Sequence, residues 1–247
     1  MLRNYILSHS GRSGDFLLNP GQSPDEFTVI SETPCFIIGH HTDAKGNWTD
    51  SHTFKFVQVP GVNNCMRAEL DSWKWILTQL KDGDWACLHH YRRQLLQPCY
   101  VVSTDAPIPM QHGVLNQLAY FHTIQWVDFL RYALTNEDFK ILLEAKTFFP
   151  YNLHCAPKNV IERWVSDMEY LYKKFIDFCG GDIEKFMRRD PDLLKFRPGK
   201  NCNWDYQKRS FSFILERLNT LFWLKQQKAG SKVLPLRVRL IEEGQSI

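Results

Sequence analysis

No stretch of about 18 apolar residues occurs in this sequence, so no segment is long and apolar enough to cross a bilayer as a helix. The first residues, Met1 to His9, hold too short an apolar run for a secretion signal, and a soluble cytoplasmic protein is expected. Strong charge of one sign is also missing: 30 Lys and Arg stand against 27 Asp and Glu, a formal net charge of +3. A balance this even, with no basic stripe, excludes a nucleic-acid footprint and leaves small anions as ligands. The seven cysteines, at 35, 65, 87, 99, 155, 179 and 202, are odd in number and irregularly placed, which excludes a disulfide framework and fits free thiols in a reducing compartment. Equally absent are the phosphate loop G-x-x-x-x-G-K-[ST], the dinucleotide fingerprint G-x-G-x-x-G and the nucleophile elbow G-x-S-x-G. The commonest nucleotide-triphosphate, dinucleotide and serine-hydrolase chemistries go with them.

Aromatic side chains are what the 247 residues have in plenty: 8 Trp, 9 Tyr and 17 Phe. They suit a core, and some of them a cleft in which sugars stack. The run from Arg3 to Ser8 reads as a first strand, followed by the loop Ser10 to Gly14. Residues 19 to 52 are crowded with Pro, Gly, Asn, Asp and His and predict short strands in irregular loops, with further strands at Cys35 to Ile38 and Thr53 to Val59. From Asn64 to Leu80 the apolar positions Met66, Leu70, Trp73, Leu77 and Leu80 share one helical face. Asp82-Gly83-Asp84 ends that helix, and Trp85 to His89 predicts a buried strand running into His90-Tyr91-Arg92-Arg93. Tyr100 to Ser103 reads as a strand, Ala106 to Pro109 as a loop, and helices are expected over Gln117–Leu134, Glu137–Lys146, Asn159–Phe178 and Tyr206–Gln227, with a strand-like tail from Val233 to Ile241. Strands mixed with long helices predict one α/β domain in which helices cover a central, mostly parallel sheet. Ligands of such sheets bind beyond the carboxyl ends of the strands, which directs attention to the residues after Leu88.

Two adjacent arginines leaving a buried strand suit a diphosphate, because each guanidinium offers a planar fork of donors. Spacing alone leaves structural ion pairs as an equal alternative for Arg92 and Arg93. Glu69 borders the apolar stripe of its helix, where it can orient the arginines, hold a sugar hydroxyl or act as a base, or instead pair with Arg67 or Lys74. Tyr206, Arg209, Glu216 and Arg217 recur along one helix, and without further information a solvated face accounts for them. The paired histidines His40-His41 and His89-His90 do not make a metal site by themselves, since neighbours on a strand point to opposite faces.

The run Glu69-Leu70-Asp71-Ser72-Trp73-Lys74-Trp75-Ile76, followed by Leu88-His89-His90-Tyr91-Arg92-Arg93, resembles a bacterial domain family of capsular and exopolysaccharide gene clusters, with the pattern E-L-x-x-x-Y-W-x-W-K and then G-L-x-H-Y-R-R. Its Y-N-M, Y-Q-x-R and E-R-L elements are similar to Tyr151-Asn152-Leu153, Tyr206-Gln207-Lys208-Arg209 and Glu216-Arg217-Leu218. Gly61 to Ala68 departs from the family's D-N-I-S-x-K-N-like approach. The resemblance implies a Rossmann-like, single-domain glycosyltransferase of the A type, with a donor half over about residues 1–110 and a mainly helical acceptor half over about 111–247. It implies transfer of a sugar, a uridine-diphosphate hexose or galactofuranose, to a lipid-linked glycan at the inner face of the membrane. On it, Glu69, His90, Arg92 and Arg93 are expected to be catalytic. His9, Tyr91, Arg209, Glu216 and Arg217 are expected on the donor, and Tyr151, Asn152 and Tyr206 on the acceptor. Such enzymes often hold Mg²⁺ or Mn²⁺ on a D-x-D motif. Asp82-Gly83-Asp84 matches the letters but precedes its strand, so it reads as a turn, and the arginines take the cationic role. A non-catalytic carbohydrate-binding or assembly protein on the same scaffold is the alternative.

Overall fold

The apolar run near the start of the chain becomes Leu2–Leu7 (β1), the strand around which the sheet is built. Gly14–Leu17 (β2), Phe27–Ser31 (β3), Ile37–Thr42 (β4), Trp48–Thr53 (β5) and Lys55–Gln58 (β6) follow, joined by the turn-rich loops. Glu69–Gln79 (α1) leads to Trp85–His90 (β7), which turns back at once as Arg93–Leu95 (β8) before Ser103–Asp105 (β9) and Ile108–Pro109 (β10). Next come Val114–Phe121 (α2), Ile124–Ala133 (α3), Asn136–Glu144 (α4), Thr147–Phe148 (β11), His154–Pro157 (β12) and Lys158–Phe178 (α5). Ile183–Met187 (α6), Trp204–Gln207 (α7), Ser210–Lys228 (α8), Leu234–Leu236 (β13) and Val238–Leu240 (β14) complete the chain. This computed structural model describes residues 1–8, 12–45, 47–62, 66–67, 69–96, 100–105, 108–190, 193, 203–236 and 238–240.

The main sheet runs in the order β13-β9-β12-β7-β1-β3-β6, with β8 and β14 attached beside β7. β1 is parallel to both β3 and β7, and β3 to β6, so a parallel core aligns its carboxyl ends: Leu7 lies opposite both Ile30 and His90. With neighbours on both edges and packing on both faces, Tyr5, Ile6 and Leu7 are buried, as expected of a near-continuous apolar strand in a parallel sheet. The sheet is mixed rather than mostly parallel, because β12 runs against both β7 and β9, and β8 against β7. β12, β13 and β14 also draw the later half of the chain into the sheet begun by the first half. A division near residue 110 therefore does not divide the sheet.

α1 packs against α5, and α5 against α8. α1 buries Leu70 and Trp73 of the stripe read from its periodicity, and Ile76 beside them, but begins at Glu69, and residues 64, 65 and 68 of the expected helix lie outside the described ones. Two expected helices are each divided. Thr123 caps α3 with its hydroxyl oxygen, which accepts from the Gln125 N–H, so 117–134 is broken at His122-Thr123. Residues 206–227 are broken at Lys208-Arg209 between α7 and α8. α8 is buried on nearly every side from Ser210 to Trp223, as a helix in a core must be. The expected loop at 106–109 instead ends in β10, a two-residue strand paired with β11, where Pro109 sits at an edge that asks no donor of it. A separate sheet, β2-β4-β5, lies over β1 and β3 through Phe16, Phe27, Phe54 and Ile6. Cys35, Cys87, Cys155 and Cys179 are free, buried thiols. Among the described residues no helix is long and apolar enough to cross a membrane.

Candidate active site

The carboxyl end of β7 is fastened from both faces. His89 points one way into the core, where its Nδ1 accepts from the Leu95 N–H at 3.1 Å and its Nε2 lies 3.3 Å from Asn4 Oδ1. Burial pushes its pKa down to about 3, so it is a neutral strut. His90 points the other way and is also buried; its Nδ1 accepts from the Arg92 N–H at 3.2 Å, which tightens the turn Tyr91-Arg92 and starts β8 at Arg93. Arg93 thus belongs to a returning strand and not to the loop expected of it. Tyr91 drops into the cluster under the small sheet, and its hydroxyl accepts from Arg12 at 3.3 Å.

Both arginine side chains are half-buried and lie against tyrosines. The Arg92 guanidinium carbon is 5.1 Å from the Tyr91 ring centroid, and that of Arg93 is 4.0 Å from the ring of Tyr151. Each Nε is buried and, among the described residues, has no hydrogen-bond acceptor. Among the described residues neither arginine forms an ion pair with a carboxylate, the alternative that spacing left open.

Tyr151 and Asn152 are held at φ 68° and 53°, a left-handed pair in which neither residue is Gly. Such residues cost roughly 1–3 kcal/mol each and persist where the surroundings over-determine them. Here the surroundings do so. The Asn152 carbonyl accepts from Trp73 Nε1 at 3.1 Å, and its amide donates to Glu69 Oε2 at 3.0 Å. The Tyr151 N–H in turn donates to the Glu216 carboxylate. Glu69 is thereby oriented by Asn152, while its two candidate partners go elsewhere: Arg67 to Asp71 and Glu169, Lys74 to Glu169.

On α8, Glu216 Oε2 accepts from Arg217 at 3.0 Å. Burial pushes the Glu216 carboxyl up and the nearby Glu69 charge adds to this, against the opposing pull of Arg217, the Tyr151 N–H and Arg209. Arg217 is only 1% exposed, so the solvated-face reading fails for it; it also donates to the Phe213 carbonyl at 2.7 Å and to Gln117 Oε1, with its guanidinium over Phe148. Tyr206 is half-buried, and burial raises its phenol pKa. Arg209, exposed at the start of α8, sits 5.8 Å from the Tyr206 and Phe213 rings. One connected group therefore runs from Arg93 through Tyr151 and Asn152 to Glu69 and Glu216, although these residues are far apart in sequence. His9 lies outside the described residues. Arg12 and Gln117 were not picked out from the sequence; nothing local marks either, since each matters only through a partner some 80 to 100 positions away.

The D-x-D letters do not fit a donor-bound metal. Asp84 accepts from the Lys81 N–H at 3.0 Å and faces the Met1 nitrogen and Arg3, while Asp82 is 2.8 Å from Lys158 Nζ. Both stand at the amino end of β7, whose six residues put the arginines a strand length away, roughly 20 Å at about 3.3 Å per residue. The shallow depression lined by Asp82, Asp84, Lys158 and Glu162 is at that same far end.

No family model matches the chain, and no curated protein matches it. A solved structure does, described as the apo form of the bifunctional glycosyltransferase WbbM, with a TM-score of 0.61 and 14% identity over 98% of this chain. The chain spans 45% of that protein's length. At such identity the likeness is one of architecture: the mixed sheet with its helical layers is an α/β fold shared with a glycosyltransferase.

Proposed function

We propose that this chain is a glycosyltransferase, moving a sugar from a nucleotide-diphosphate donor to a hydroxyl of a growing glycan. One observation carries the reading: two half-buried arginines at adjacent positions, neither paired with a described carboxylate, follow the carboxyl end of a parallel strand. A diphosphate supplies the oxygens their forks lack. As the sugar C1–O bond to the diphosphate breaks, charge builds on the leaving oxygen, and Arg92 and Arg93 stabilise it more in the transition state than before. The acceptor oxygen forms the new bond to C1, and Glu69, oriented by Asn152, takes its proton. Glu216, held by Arg217 close to Glu69, is placed to accept a hydrogen bond from a sugar hydroxyl. Arg209 and Tyr206 lie near enough to act on the charge of that carboxyl, and Arg217 donates a hydrogen bond to it.

The motif resemblance supports a uridine-diphosphate hexose or galactofuranose as donor, and a lipid-linked capsular, exopolysaccharide or lipopolysaccharide glycan as acceptor, met at the inner membrane face. The test is a donor screen that measures nucleotide diphosphate release with and without divalent metal. Release from one donor, with the arginines required, is the expected result; no release from any donor, with glycan binding intact, supports a non-catalytic carbohydrate-binding protein instead.

A further inference from the structure

Away from the arginine turn, the small sheet β2-β4-β5 gathers imidazoles and a carboxylate on one face. In the β4–β5 ladder His41 lies opposite Asp50 and Gly39 opposite His52. Residues opposite one another, and residues two apart on a strand, project to the same side, so His41, Asp50 and His52 share a face. One donor atom from each lies within 4.8 Å of the others. The two imidazole rings stand 5.3 Å apart and nearly perpendicular, at 76°.

The second shell fits as well. His41 Nε2 is 3.1 Å from the carbonyl oxygen of Gln22. A carbonyl only accepts, so Nε2 carries the hydrogen and Nδ1 keeps its lone pair, the arrangement by which proteins fix the tautomer of a metal-binding histidine. Gly39, across from His52, leaves its place to the Phe54 ring, which lies 2.3 Å from where a Cβ would stand. An apolar floor therefore borders the cluster. The opposite face is locked independently: His40 Nε2 is 2.8 Å from Asp15 Oδ1, its Nδ1 is 3.0 Å from Ser51 Oγ, and its ring stacks on Trp48 at 3.7 Å. The strands that carry the three donors are thus held in register from behind.

We propose that His41, Asp50 and His52 form a binding site for a divalent d-block cation, with Zn²⁺ the ion that suits two imidazoles and one carboxylate. Mg²⁺ prefers oxygen ligands and is disfavoured here. Tetrahedral bonds of about 2.0–2.1 Å set donor atoms roughly 3.3–3.5 Å apart, so closure draws the side chains in by about 1 Å, and the exposed Asp50 is free to make that move. A water completes the coordination. The ion ties the β4–β5 hairpin to the Gln22 turn, and so stiffens the sheet under which Tyr91 is packed.

The test uses Zn²⁺ alone, added to the whole chain after chelation and with no donor sugar present. Calorimetry should show one tight equivalent, with a rise in thermal midpoint, and Asp50→Asn and His52→Ala should each weaken binding by at least about tenfold while leaving the circular dichroism spectrum unchanged. Substitution of Co²⁺ provides a readout on the unaltered protein: the visible bands of a nitrogen- and oxygen-ligated tetrahedral ion are expected. The proposal is overturned if the unaltered chain does not bind Zn²⁺, if either variant binds it equally well, or if Co²⁺ gives a thiolate charge-transfer band, which would place the ion on cysteines.

Discussion

Arg93 lies over the face of Tyr151, its guanidinium carbon 4.0 Å from the ring centroid, and this contact couples the start of β8 to a backbone turn held in the left-handed region. The stack leaves the edge of the guanidinium for an anion and fixes its plane. Through the same turn the site reaches Glu69 on α1 and Glu216 on α8. Three elements distant in sequence are thereby held against one another by two strained residues.

Arg92→Ala and Arg93→Ala should each lower kcat/KM for the donor by roughly 10²–10³, the range for removing one donor from a preorganised anion site. Folding should survive, because both side chains are only half-buried. Arg93→Lys keeps the charge but loses the plane on Tyr151, so an intermediate loss is expected. Diphosphate-release kinetics alongside circular dichroism check this; full turnover in both alanine variants removes the clamp.

Asn152→Gly should separate activity from stability. Gly adopts the left-handed conformation without strain, which offsets the lost hydrogen bond to Glu69, and the unfolding free energy should stay within about 1 kcal/mol of the original. Turnover should nevertheless fall, because Glu69 is no longer oriented. Asn152→Ala meets the left-handed penalty too and should be less stable than the Gly variant by about 1–2 kcal/mol. Urea unfolding and initial rates on both variants decide the point, and unchanged rates in both leave Asn152 a purely structural residue.

Asp82→Asn and Asp84→Asn should leave donor affinity unchanged, with Mn²⁺ or after chelation, because both stand at the wrong end of β7. Asp84→Asn should cost stability, since the Lys81 N–H, the Met1 nitrogen and Arg3 converge on that carboxylate. The Lys81 hydrogen bond leads the effects that hold Asp84 below its usual pKa of 3.8. Its contribution is therefore present above that value and lost as pH falls through the lower folded value. A metal-dependent affinity abolished by either substitution would defeat the arginine mechanism.

Acid should unfold this protein through two interior histidines. His154 is stacked on Trp73 at 4.1 Å and flanked by Trp164 and Trp223, and burial pushes its pKa, like that of His89, down to about 3. A folded pKa below the unfolded 6.5 means stability that is full above pH 6.5 and is lost as pH falls from there toward about 3. Each imidazole should contribute a loss of roughly 2 kcal/mol between pH 7 and 5. His154→Phe keeps the stacking and should remove about half of that slope in urea midpoints against pH; an unaltered slope would mean that His154 charges without unfolding.

The sequence by itself was enough for what is local and periodic. The α1 stripe, the buried strand before His90, the long helix to Phe178 and the turn character of Asp82 to Asp84 all follow from side-chain spacing and turn chemistry. Because parallel strands bind ligands beyond their carboxyl ends, the position of Arg92 and Arg93 was legible too. What spacing does not encode is partnership across the fold. Whether Arg217 faces water or the interior depends on what surrounds α8, and in the structure it is enclosed. The antiparallel entry of β12 between β7 and β9, the Asn152 bond to Glu69 across 83 positions and the meeting of His41 with Asp50 and His52 are decided by strand register and tertiary packing. The adjacent histidines illustrate the physical reason: the strand period alone sends His40 and His41 to opposite faces, but only the neighbouring strand determines that one meets Ser51 and the other a carboxylate.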